Sequence, residues 1–279
     1  MDKKVERFDN RNILNDLSGK EWLKLTKSYL KSEKCVEDKF AMQHPAPYLL
    51  KDTMKMISMF TKSGMKVLDP FAGVGTTLLA CSRLKRKGVG IELNKKYVKL
   101  TNERLQIEQA KTNQKIVNGD SLKVLEKIKT TFDYCVTSPP YHNILKNNGA
   151  GLRKENNKFR SGARTGIDYY SESKNDLGNQ DTYENFIIKL QEISFLIRNR
   201  LKAGGYLTLI LSDFTVNKRE VNVQGDVISS MLEIGFSFEG TQILLQENKP
   251  LFPFGYPYAF KINHHHQNLM HFRKPKVLD

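Results

Sequence analysis

Thr137-Ser138-Pro139-Pro140-Tyr141 combines two hydroxyls, two consecutive prolines and an aromatic ring. Pro140 fixes its own φ and removes a backbone donor, and each proline holds the residue before it extended. The segment therefore presents the Ser138 hydroxyl, the Pro139 carbonyl and the Tyr141 ring in a rigid arrangement. Such a set suits a planar base that carries an exocyclic amine. The ring stacks on the base, and the two oxygens accept the hydrogens of the amine. The plainer reading is a strand-ending turn, and the segment alone leaves both open.

A second group lies upstream. Asp69-Pro70-Phe71-Ala72-Gly73-Val74-Gly75-Thr76-Thr77 follows the short apolar run Lys66-Val67-Leu68 and leads into a helical pattern. Glycines there let backbone approach a ligand, and free N–H groups point out of the helix start. The spacing is neither G-x-G-x-x-G nor the phosphate-loop G-x-x-x-x-G-K-[ST], which weakens a nicotinamide or nucleoside triphosphate reading. Two further apolar runs end in acids. Glu92 closes Gly88–Glu92, where a carboxylate can accept both hydroxyls of a ribose or simply be solvated. Asp120 closes Ile116–Asp120, where it can accept the exocyclic amine of an adenine or cap the next helix, two compatible roles.

These residues need strands that end together. Phe132-Asp133-Tyr134-Cys135-Val136 reads as a buried strand feeding the proline pair, and Tyr206–Leu211 as a continuous apolar central strand. Between them, Asp181 with Glu184 predicts a capping box. Phe186, Leu190, Ile193, Ile197 and Leu201 form one helical stripe, read as core and nothing more, and Gly204-Gly205 ends that helix. Strand-helix alternation of this kind predicts an α/β, doubly wound, mostly parallel sheet, in which ligands bind at the carboxyl ends of the strands. Residues 1–40 are polar and basic with weak helical spacing, and read as a helical N-terminal extension before a catalytic domain over 41–279. Pro250 to Tyr258 is dense in Pro, Phe and Tyr, and either lines a pocket or packs a sheet edge.

Residues 142–181 are poor in large apolar side chains and read as a loop insertion. Between 146 and 164, Lys146, Arg153, Lys154, Lys158, Arg160 and Arg164 stand against the single acid Glu155, which favours contacts to nucleic-acid phosphates over a merely solvated insertion. The whole chain of 279 residues has a formal net charge of +15, which suggests a polyanionic partner. Three scattered cysteines make neither a disulfide framework nor a metal spacing, so a cytoplasmic location is expected. No apolar stretch is long enough to span a bilayer, and no signal-peptide pattern opens the chain. His264-His265-His266 sits inside the sequence, and no metal is expected.

Taken with their order, the two main motifs resemble those of the S-adenosylmethionine-dependent DNA amino-methyltransferases, the N4-cytosine and N6-adenine group. Asp69 to Thr77 is similar to that family's cofactor motif and Thr137 to Tyr141 to its catalytic motif. His44-Pro45-Ala46-Pro47 resembles the loop that closes over the methionine end of the cofactor. The likeness runs from residue 40 to 275. It implies a Rossmann-like seven-stranded sheet whose last strand is antiparallel, S-adenosylmethionine as cofactor and double-stranded DNA as substrate. It also implies a cofactor set of His44, Pro45, Asp69, Pro70, Phe71, Ala72, Gly73, Gly75, Thr76, Thr77, Glu92, Leu93, Asp120, Ser121 and Thr137. Glu92 would hold the ribose and Asp120 the adenine. Ser138, Pro139, Pro140 and Tyr141 would hold a flipped base, and the basic residues of the insertion would contact DNA.

No Pro-Cys pair occurs, which argues against C5-cytosine methylation, and serine at 138 favours N4 of cytosine over N6 of adenine. Little chain follows Tyr141 beyond what the sheet needs, so recognition rests on 142–181, on the N-terminal 40 residues, or on a specificity or restriction partner protein. Two rivals stand beside this reading. One is an RNA methyltransferase acting on an exocyclic amine. The other is a catalytically silent nucleic-acid-binding subunit that keeps the fold.

Overall fold

A computed structural model describes residues 9–44, 48–110, 112–142, 171, 173–217 and 219–276. Its main sheet holds, in chain order, β1 (Tyr29–Lys31), β2 (Lys66–Asp69), β3 (Lys87–Glu92), β4 (Gln114–Asn118), β5 (Phe132–Thr137), β6 (Leu201–Leu211), β9 (Ser237–Leu245) and β10 (His266–Arg273). A two-stranded ribbon, β7 (Thr215–Val216) with β8 (Arg219–Glu220), lies between β6 and β9 in the chain. The strand order is β1-β9-β10-β6-β5-β2-β3-β4. β10 runs antiparallel to both neighbours and every other pairing of the main sheet is parallel. The carboxyl ends of β2, β3, β4 and β5 thus share one edge, as doubly wound sheets require.

The sheet has eight strands rather than the expected seven, and the added strand comes from the segment expected to be only helical. Helix α1 (Gly19–Leu25) is capped by a Ser18–Glu21 capping box. β1 then pairs in parallel with β9, Tyr29 opposite Ile243. It buries only Leu30, and it covers an edge that would otherwise leave a row of unpaired backbone groups. Gln242 fastens the join, its amide nitrogen donating to the carbonyls of Leu25 at 2.8 Å and Lys27 at 2.5 Å.

Helices cover both faces. On one lie α2 (Leu50–Phe60), α3 (Thr76–Arg83) and α4 (Lys95–Ile107), which bury Met56, Ile57, Leu78, Leu79 and Leu105 against the sheet. On the other lie α5 (Ser121–Lys127), α6 (Tyr183–Arg200) and α7 (Val223–Glu233). Phe186, Leu190, Ile193 and Ile197 of α6 are all buried, each contributing roughly 1.5–3 kcal/mol. The α6 cap is Thr182 rather than the expected Asp181. Its hydroxyl accepts from the Asn185 N–H at 3.1 Å. The helix ends at Arg200, ahead of Gly204-Gly205, which lie within β6.

A buried polar chain crosses the sheet. The Tyr134 hydroxyl donates to Thr208 Oγ1 at 2.7 Å, Thr208 lies 2.9 Å from His271 Nδ1, and His271 Nε2 lies 3.1 Å from Gln242 Oε1. One tautomer satisfies every link: Thr208 donates to Nδ1, and Nε2–H donates to Gln242. Burial pushes the His271 pKa down to about 4, which holds the ring neutral. Among the described residues no helix is long and apolar enough to cross a membrane.

Candidate active site

A cleft opens at the carboxyl edge of the sheet, with about 720 Å³ of empty space counting its mouth. Four strand ends build it. From the turn after β2 come Pro70, Phe71 and Gly73, and from the ends of β3 and β4 come Glu92, Leu93, Asp120 and Ser121. From the end of β5 come Ser138, Pro139, Pro140 and Tyr141. His44 closes one side, its ring centroid 4.7 Å from that of Tyr97. Pro45, and the six basic residues Lys146, Arg153, Lys154, Lys158, Arg160 and Arg164, lie outside the described residues.

Other residues of the expected cofactor set stand behind the wall. Asp69 is buried, and its carboxylate accepts from the Phe71 N–H at 3.0 Å, from Thr137 Oγ1 at 2.6 Å and from Thr77 Oγ1. Burial raises its pKa, and those three donors pull it back. Asp69, Thr77 and Thr137 thus bolt the glycine turn to the start of the proline pair. Gly75 takes φ +75°, and a Cβ there would come within 2.4 Å of Thr101 Cγ2, so the turn packs tightly on α4. Thr76 accepts from Arg104 at 2.8 Å, and Ala72 is buried.

Arg104 is fully buried. Its guanidinium donates to the Val74 carbonyl, to Thr76 and to the Glu37 carbonyl at 3.1 Å. It ties the glycine turn to the N-terminal segment, where Asp38 accepts the N–H groups of Cys35 and Leu50.

The acids at the strand ends differ in environment. Glu92 accepts from the Gly73 N–H at 2.8 Å and the Asn94 N–H at 2.7 Å. Burial nevertheless pushes its pKa up to about 7, with Asp176 and Asp69 adding like-charge repulsion. Asp120 caps α5 by accepting from the Leu122 N–H at 3.0 Å, and Ser121 donates to the Pro70 carbonyl at 2.5 Å.

Tyr141, which with Ser138 to Pro140 forms the expected base clamp, has its ring held from three directions. Ser212 N–H donates to the Tyr141 hydroxyl at 3.1 Å and Gln267 Nε2 at 3.0 Å. The ring lies nearly parallel to Phe214, centroids 6.0 Å apart. With Tyr183 and Phe186 also against Phe214, Tyr141 is one member of an aromatic cluster.

Several lining residues escaped the sequence reading. Asn175, Asp176 and Leu177 line the cleft although they belong to the stretch assigned as a DNA-contacting insertion. Asp176 is buried, accepts from the Gly178 N–H at 2.9 Å and from Ser171 Oγ at 2.7 Å, and caps a short 3-10 turn over Leu177–Asn179. The Asp-x-Gly pattern at 176–178 is a turn signal that could have separated it from the basic part. Tyr97, and Ile193 of the stripe read as core, also reach the cleft.

A family model for N6/N4 methyltransferases, described as DNA methylase, matches residues 3–103. The type II methyltransferase M2.DpnII of Streptococcus pneumoniae is 34% identical over 110 residues, 38% of this chain and 39% of that protein. The type II methyltransferase M.HpaI of Haemophilus parainfluenzae is 44% identical over 54 residues, 19% and 17% of the two chains. The matches therefore span well under half of either relative. Among solved structures, TrmN from Thermus thermophilus shares the fold with a TM-score of 0.54 at 14% identity, over 87% of this chain and 54% of that one. With its two motifs brought to one cleft in a Rossmann-like sheet, the chain is similar to the N6/N4 DNA methylases over residues 3–103 and to type II methyltransferases over a stretch of about the same length.

Proposed function

We propose that this chain methylates the exocyclic amine of a flipped base in double-stranded DNA, with N4 of cytosine favoured over N6 of adenine. The observation that carries the reading is the meeting of Ser138 to Tyr141 with Glu92, Asp120 and the glycine turn around one cleft.

The cleft chemistry fits the cofactor. Its carboxylates Glu92, Asp120 and Asp176 suit the hydroxyl and amine donors of an adenosine and the cationic end of the molecule, and Phe71, Leu93 and Leu177 supply apolar wall. Gly73 has no side chain where a Cβ would meet His44 Nε2 at 3.4 Å, which keeps the backbone open to a ligand. On this reading Glu92 holds the ribose, Asp120 the adenine, and His44 with Asp176 the opposite end. Asp69, Gly75, Thr76, Thr77 and Thr137 act as positioning residues. When bound, S-adenosylmethionine supplies an electrophilic methyl group.

What the chain does is orient the acceptor. Ser138 Oγ and the Pro139 carbonyl accept the two amine hydrogens, which turns the nitrogen lone pair out of the plane of the base. Tyr141 stacks against the base. Its hydroxyl bonds and its packing on Phe214 hold the ring beforehand, so little ordering remains to be done on binding. Alignment and electrostatics carry the reaction, with no covalent nucleophile. Serine at 138 supports cytosine through the family resemblance, and the net charge of +15 suits DNA.

Ser138→Ala and Tyr141→Ala are expected to abolish methyl transfer while leaving cofactor affinity at the wild-type value, read by calorimetric titration. Loss of cofactor binding in both variants would show that the clamp has been misplaced.

A further inference from the structure

The segment joining β9 to β10 neither lines the cleft nor packs the sheet edge. Tyr256, Tyr258 and Phe260 are 81%, 94% and 89% exposed, and Leu251 is 76% exposed. So much apolar surface on one short arm marks an interaction site.

The arm is built rather than loose. Asn263 clips it across, accepting from the Phe252 N–H at 3.0 Å and donating to the Phe252 carbonyl at 2.8 Å. The N–H groups of Tyr258 and Ala259 both reach the Gly255 carbonyl at 2.7 Å. Gly255 sits at φ +76°, where a Cβ would run into the Ala259 carbonyl. The exposed rings are thus presented on a framework that is already ordered, which lowers the cost of binding.

Its root touches the clamp. Gln246 N–H donates to the His265 carbonyl at 2.7 Å, Gln246 Nε2 reaches Gln267 Oε1 at 3.2 Å, and Gln267 donates to the Tyr141 hydroxyl. The arm therefore springs from the same sheet edge as Ser138 to Tyr141. Beyond Glu247 at its root, which pairs with Lys31 at 3.1 Å, its charged side chains are Lys249 and Lys261.

We propose that this arm is a nucleic-acid contact in its own right, stacking Tyr256, Tyr258 and Phe260 on DNA bases left unstacked beside the extruded target. The inference rests on the DNA reading above and adds a surface to it. Exposed rings flanked by Lys249 and Lys261 match single-stranded nucleic acid, because every base offers a π-face and every phosphate a negative charge. Extrusion of one base leaves its neighbours and its former partner unstacked, and an aromatic wedge can cover them.

The test uses the full chain and the triple variant Tyr256→Ser/Tyr258→Ser/Phe260→Ser. Binding is read by fluorescence anisotropy on a mixed-sequence oligonucleotide, single-stranded and as a duplex with a central mismatch. Cofactor affinity, expected to be unchanged, reports that the variant is folded. If it is not, Tyr258→Ser at the most exposed ring carries the test. The expected result is at least about a tenfold loss of affinity for both probes. The slope of log affinity against log salt stays as in the wild type, since no cation has been removed. Equal affinity of variant and wild type would overturn the proposal. So would a wild-type dimer that the variant converts to monomer with DNA binding untouched, which would assign the arm to a second copy of the chain. Methyl incorporation into DNA by the wild type is scored separately. Its absence alongside the affinity loss would sink the enzymatic reading and leave the arm as a DNA contact.

Discussion

Glu92 should make cofactor binding depend on pH near neutrality. Its carboxyl normally titrates near 4.5, and burial raises it to about 7 despite the N–H donors of Gly73 and Asn94. An acid whose folded-state pKa lies above its unfolded value stabilises the fold fully only below the unfolded value. That contribution is lost as pH rises through about 7, at a cost of about 3 kcal/mol to the cofactor-free chain. On the proposed reading, ligand affinity has the opposite sign, because two ribose hydroxyls would need the ionised form. Roughly one-tenth of Glu92 is ionised at about pH 6 and roughly nine-tenths at about pH 8. Affinity for S-adenosylmethionine should therefore rise about tenfold across that range. Calorimetric titrations at several pH values, on wild type and Glu92→Gln, measure the difference between the two profiles and so remove any titration of the ligand itself. Identical profiles would refute the reasoning, because the carboxylate would then not be holding the ligand.

Three further outcomes follow from the same geometry. Tyr141→Phe keeps the ring and strips the hydroxyl from the Ser212 N–H and Gln267 Nε2, so urea unfolding should show a loss of about 1–3 kcal/mol. An unchanged midpoint would mean that water replaces the hydroxyl. Gly75→Ala must hold alanine at φ +75° against Thr101, which should cost about 2–4 kcal/mol in the same assay, and wild-type stability would mean that the turn relaxes freely. His271 titrates near 4 when folded and 6.5 when unfolded, so its contribution is present above 6.5 and lost as pH falls through about 4. About 3 kcal/mol of acid destabilisation should be missing from His271→Asn, and a variant that loses stability in acid as steeply as the wild type would contradict this.

The parts of the site legible in the sequence are those set by local chemistry. Proline pairs end strands and acids sit where apolar runs stop, so Ser138 to Tyr141, Glu92 and Asp120 could be placed at strand ends from the one-dimensional pattern. What tertiary contact decides was not legible. β1 is three residues long and buries only Leu30, too little for any periodicity to register. Arg104 carries no sequence signal of its role, and only the approach of Val74 and Glu37 makes it a buried tie. Asp176 sits in a polar stretch whose overall charge pointed to DNA, and its turn with Gly178 folds it back into the cleft instead. Asp69, Thr77 and Thr137 look like ligand contacts in a motif, yet they hydrogen-bond one another behind the wall.

The most direct test of the central claim is product identity. The protein is incubated with methyl-labelled S-adenosylmethionine and, in parallel, mixed-sequence double-stranded DNA or RNA, the nucleic acid is digested to nucleosides, and the labelled nucleoside is identified by mass. Labelled N4-methylcytosine is the predicted result, and N6-methyladenine would keep the site and change the base. Label appearing only in RNA, or no label in DNA while the cofactor is bound, would contradict the account.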